Sequence, residues 1–147
     1  MKYILVTNTS TKPIYVVINN NDGMFDIEKY KINERIENGE HITAFDVTGL
    51  FIHTELSSCS KTEYKGPNVW TRYLENTDEK VRIFIIEKDS IDKYGWIYVN
   101  ENNIYNKKHV LTLNELDNIN WELKYGENVC ENVQLKSAYE YDPHYEK

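Results

Sequence analysis

The chain is poor in residues that staple or punctuate a fold: two cysteines, three prolines and six glycines in 147 positions. Cys59 and Cys130 lie far apart, which excludes a zinc ribbon and a CxxC redox pair. Both sit among polar neighbours, in Ser57-Ser58-Cys59-Ser60 and Val129-Cys130-Glu131. They read as two unrelated free thiols. The alternative, for an exported protein, is a disulfide closing a long loop and contributing about 4 kcal/mol by chain-entropy arithmetic.

Long apolar runs are missing as well. Tyr3–Val6 and Ile14–Ile18 are the longest, well short of the ~20 residues that span a bilayer as a helix, so no transmembrane segment is expected. Met1-Lys2-Tyr3-Ile4 opens no apolar core of signal-peptide length, and no small-residue cleavage site follows. The expectation is a cytoplasmic protein if Met1 is the native start, or a sequence that begins after a removed signal. Positive charge is in the minority, 17 Lys and Arg against 24 Asp and Glu, for a net charge of −7. Such a surface repels phosphate backbones and anionic lipid, so nucleic acid is not an expected partner and a basic protein suits it better.

Catalytic signatures are absent: there is no GxSxG, HExxH, P-loop or dinucleotide fingerprint. His41, His53, His109 and His144 show no HxH or HxxxH spacing, so no metal site is expected, although His41 and His53 fall on neighbouring predicted strands. Glu34, Glu37, Glu40, Asp46 and Glu55 supply carboxylates. A glycosidase needs two of them at a set separation and in contrasting environments, and an acidic chain brings carboxylates together by chance. The reading is a non-enzyme without a cofactor; a glycoside hydrolase is the last alternative.

What is present is aromatic and strand-forming. Aromatics make up 13% of the chain, including 12 tyrosines, and tyrosine suits half-buried strands. Tyr3–Thr7 and Ile14–Asn19 read as strands, with Pro13 leading the second. Both are apolar at successive positions, which predicts at least partial cover on both faces. Asn19-Asn20-Asn21-Asp22-Gly23 reads as a turn, Met24–Ile32 as a weaker strand, Asn38-Gly39 as a hairpin, and His41–Asp46 and Leu50–Glu55 as further strands. Leu56–Lys80 is irregular, with a short strand over Val69–Leu74.

Val81–Glu87 is a clear strand. Asp89 or Ser90 is expected to cap a helix through Tyr94 that Gly95 closes. Trp96 is expected to pack over Gly95. Ile104–Leu111 is extended, Thr112-Leu113-Asn114-Glu115 has capping-box spacing, and Ile119, Trp121, Leu123 and Tyr125 alternate with polar residues as in a half-buried strand. Together these predict a mainly β fold, a β-sandwich or barrel-like set of antiparallel sheets with one or two short accessory helices. Residues 1–126 form a single β-rich domain, and 127–147 form a polar extension carrying Tyr139, Tyr141 and Tyr145.

Two segments carry a resemblance. Val81-Arg82-Ile83-Phe84-Ile85-Ile86-Glu87-Lys88-Asp89-Ser90-Ile91 with Lys93-Tyr94-Gly95-Trp96 is one, and Lys107–Leu116 running into Asn120-Trp121-Glu122-Leu123-Lys124-Tyr125 is the other. Over Val81–Tyr125 the chain resembles a family of small uncharacterised lipoprotein-type and secreted proteins of gut Bacteroidetes. The resemblance implies a β-rich domain in the cell envelope or secreted space and carries over no catalytic residues.

The functional expectation is a non-enzymatic surface-recognition or structural protein of the bacterial envelope. One alternative is a glycan-binding module in which Trp70 and Tyr73 form a stacking platform, although a core-anchoring role for Trp70 competes with it. The other is a small acidic inhibitor or immunity-type protein that covers a basic target.

Overall fold

Val81–Glu87 is apolar at nearly every position because both of its faces are covered. The computed structural model describes residues 3–25, 39, 52–65 and 67–137. These hold eight strands in two sheets and four short helices. The strands are β1 (Tyr3–Asn8), β2 (Ile14–Asn19), β3 (Ile52–Leu56), β4 (Ser60–Lys65), β5 (Val81–Glu87), β6 (Lys107–Leu111), β7 (Glu122–Tyr125) and β8 (Gln134–Ser137). The helices are α1 (Pro67–Tyr73), α2 (Lys88–Tyr94), α3 (Trp96–Glu101) and α4 (Leu113–Asn118).

The first sheet runs β7-β1-β4-β8 and the second β3-β2-β5-β6. Ile4 and Val6 of β1 meet Ile14, Val16 and Ile18 of β2 and Val81, Ile83 and Ile85 of β5, so the main core lies between the sheets. The other faces of β2 and β5 carry Val17, Phe84 and Ile86. These pack against Ile91 of α2 and Val99 of α3, together with Met24 and Phe25. The order of layers is therefore sheet, sheet, helix pair. No barrel closes among the described residues.

Two features depart from expectation. The second sheet is wholly antiparallel, but the first contains two parallel pairings, β1 with β7 and β4 with β8. Four short helices form rather than one or two. β2 is covered on both faces as read, and β1 in part: its residues alternate buried and half-buried, and no helix among the described residues packs over Tyr3, Leu5 and Thr7.

The corners depend on polar residues. Buried Asn8 donates to the carbonyls of Lys12 (2.8 Å) and Leu56 (3.1 Å) and accepts from the Ser10 amide and hydroxyl. It thereby fixes both the β1–β2 and the β3–β4 crossovers between sheets. Arg82, buried at the end of β5, is held by Asp22 (2.7 Å) and Asp78 (2.6 Å), which ties two turns to the central strand. The capping box at α4 is formed as read: Glu115 N–H donates to Thr112 Oγ1, and Thr112 N–H donates to Glu115 Oε1. At α2 the reading fails. The helix starts at Lys88 with Glu87 before it and no side-chain cap, so Asp89 falls inside the first turn. The Met24–Ile32 strand from Asp26 on, the strand pairing about Asn38-Gly39 and the His41–Asp46 strand lie outside the described residues.

Candidate recognition surfaces

Trp70 and Tyr73 do come together, with ring centroids 5.9 Å apart, but on a helix rather than a strand. The β-branched and aromatic letters of Val69–Leu74 suggest an extended segment. The helical alternative wins because Pro67 is tolerated at a first helical position and because Trp70 and Leu74, four apart, both turn into the main core. Trp70 is 4% exposed and also meets Trp121 at 6.3 Å. A sugar needs an open ring face, and Trp70 presents none. Tyr73 is half-buried, its hydroxyl donates to the Ile18 carbonyl, and burial pushes its phenol well above the ordinary value.

The two cysteines are joined. Cys59 and Cys130 form a disulfide with Cα atoms 5.6 Å apart, which corrects the reading of two free thiols. Their polar surroundings are real, but pairing depends on register. Cys59 sits in the β3–β4 turn with its amide donating to Asn8, and Gln134 N–H donates to the Cys59 carbonyl, which draws the chain near Cys130 alongside.

The two described histidines lie on opposite edge strands of the second sheet. His53 on β3 lies against Trp96 and Tyr15. His109 on β6 is half-buried, and burial followed by the Lys107 charge holds its pKa below the ordinary imidazole value. His41 and His144 lie outside the described residues, as do Glu34, Glu37, Glu40 and Asp46. Glu55 accepts a hydrogen bond from Tyr15 (3.0 Å). Among the described residues no group of three His, Cys, Asp or Glu side chains is placed to hold a metal ion, and no helix is long and apolar enough to cross a membrane. Trp121 is a core residue as read, its indole N–H donating to Asp117 (2.7 Å). Trp96 instead opens α3 and packs edge-on against Tyr15 at 4.9 Å.

Two exposed surfaces stand out among the described residues, and sequence reasoning singled out neither. On the helical layer Tyr94, Ile97 and Tyr98 are 40%, 43% and 48% exposed. Ile91 and Val99 point into the sheet, and helical spacing therefore turns these three outward. Gly95, at φ 81°, breaks the backbone so that α2 ends and α3 begins within one residue. The Tyr94 and Tyr98 rings stack at 5.0 Å and 17°, with the Lys93 ammonium 5.0 Å from the Tyr94 centroid.

The second surface is an open groove of about 710 Å³ on the uncovered face of the first sheet. Leu5 and Thr7 form its floor, Lys61 and Lys124 lie to the sides, and Asn128 and Val129 form a wall. Its charges are mixed, since Glu122 and Glu127 also line it.

Tyr125, at the end of β7, donates to Glu87 (2.9 Å), and burial with that carboxylate raises its phenol to about 12. The contact joins the two sheets and is structural. Neither a family model, nor a curated protein, nor a solved structure matches this chain.

Proposed function

We propose that this chain is a non-enzymatic recognition protein of the bacterial envelope or secreted space, holding a protein partner through Tyr94, Ile97 and Tyr98. The observation that carries the reading is their exposure side by side on one face of α2 and α3. Grouped apolar side chains on a surface mark contact sites. Tyrosine provides wide, stiff contact area with a polar end, and it is enriched where proteins meet. The partner that fits is one with a basic surface. The net charge of −7 steers such a molecule inward, and Glu101 is exposed on the same two helices, where Asp89 and Asp92 are paired with Lys12 and Lys88.

The Cys59–Cys130 disulfide supports the location, because such bonds persist in oxidising compartments. The resemblance over Val81–Tyr125 points the same way. A salt-graded pulldown from an envelope extract with the oxidised full chain tests the reading. A basic protein should be captured at low salt and released as salt rises, and Tyr98→Ala should weaken capture about tenfold or more while the unfolding midpoint stays in place. An empty pulldown, or capture that Tyr98→Ala leaves untouched, sinks the proposal. Capture of polysaccharide instead would transfer the surface to a glycan. Fractionation of native cells that finds the chain reduced and cytosolic would defeat the location.

A further inference from the structure

The segment after β7 is attached to the rest of the molecule in an unusual way. Residues 127–137 leave one edge of the first sheet at β7, pass along the groove and join the opposite edge as β8. Among the described residues, none from this segment enters either core cluster. Val129 and Leu135 are 92% and 59% exposed. The segment is held by a four-residue parallel ladder to β4, by Asn128 N–H to the Thr9 carbonyl (3.2 Å), by Gln134 N–H to the Cys59 carbonyl (3.1 Å), and by the disulfide.

A short parallel ladder whose added strand brings only the exposed Leu135 as an apolar side chain is weak, since hydrogen bonds exchanged with water add little net stability. Ordering the backbone of residues 127–137 opposes it at every position. The anchor at the other end is firm. Cys59 is fixed in its turn by Asn8, the buried hub of both crossovers.

We propose that the Cys59–Cys130 bond is a reducible lock on a detachable strand: its reduction releases residues 127–137 and leaves β4 as an edge of the first sheet, while the two-sheet body stays folded. The chemistry requires an external dithiol. One thiolate attacks a sulfur of the bond, forming a mixed disulfide and expelling the other cysteine as a thiolate. The second thiol of the reductant then displaces the first cysteine. Two electrons pass to Cys59 and Cys130, which take up protons as thiols, and the reductant departs as its own disulfide. The body does not need the bond, because among the described residues those of both cores lie between Ile4 and Tyr125.

Hydrogen exchange followed by mass spectrometry on the full chain tests the lock, comparing the oxidised form with a form reduced by dithiothreitol and alkylated. Amides of Leu135–Ser137 should lose protection by about tenfold or more, while those of β2 and β5 keep theirs. A protease specific for glutamate should cut at Glu127 and Glu131 only in the reduced form. The Cys130→Ser chain, which needs no reductant, should behave like the reduced form in both assays. Unchanged protection in β8 would overturn the lock, and so would loss of protection throughout, which would make the bond a staple for the whole fold.

Discussion

The two sheets share one core and differ on their outer faces. Phe84 and Ile86 of the second sheet disappear beneath α2 and α3, whereas Leu5 and Thr7 of the first line an open groove. The covered sheet can be apolar at successive positions, as β5 is from Ile83 to Ile86. The uncovered one must alternate, as β1 does. The difference teaches where stability resides in this molecule and where exposed surface is left over. The second sheet is the middle layer, its β2 and β5 buried on both faces. The first sheet closes the core with one face and keeps the other, together with its carboxy-terminal edge, in contact with solvent.

Truncation at matched positions should separate the two faces most clearly. Phe84→Ala on the covered face should cost about 3–5 kcal/mol in denaturant unfolding, the range for emptying a buried aromatic site. Leu5→Ala on the open face should cost only about 1 kcal/mol, because water already reaches the side chain. Equal losses at the two sites would erase the distinction. A smaller effect belongs to the connection between the sheets: Thr112→Ala removes the α4 cap and should cost about 1 kcal/mol, with Thr112→Ser restoring most of it.

The smallest expected effect is a pH dependence at the Arg82 clasp. The Arg82 hydrogen bond holds the Asp78 carboxyl down at about 2 from its ordinary 3.8. A depressed folded-state pKa means that the contribution is fully present above 3.8 and fades as pH falls through about 2. Asp78→Asn should therefore flatten the acid limb of the stability profile between those values. Its difference from the parent chain should be constant above pH 5 or so and shrink below. A difference that grows with acidity would reverse the assignment.

Much of the covered sheet is legible from residue order. Val81–Glu87 and Ile14–Asn19 announce themselves by the apolar runs Ile83–Ile86 and Ile14–Ile18, and Thr112 and Glu115 by their spacing. β4 is hidden because its inward residues are Ser60, Thr62 and Tyr64, which send a weak hydrophobic signal although all three are buried. β8 is hidden because it adds almost no apolar area. Val69–Leu74 misleads because strand-forming residue types lie on a helix whose inward pair is Trp70 and Leu74. The Tyr94, Ile97 and Tyr98 surface has no signature of its own. It is what remains when Ile91 and Val99 turn inward.

Local patterning was enough to establish a β-rich chain with a covered central strand, an α4 cap and a core role for Trp121, since each rests on the periodicity or spacing of neighbours in the chain. Which sheet would receive the helices, that Trp70 would be buried, and that Cys59 would meet Cys130 depended on packing between segments remote in sequence. Strand register brings such segments together, and one residue of slip would turn a strand's inward side chains to the opposite face.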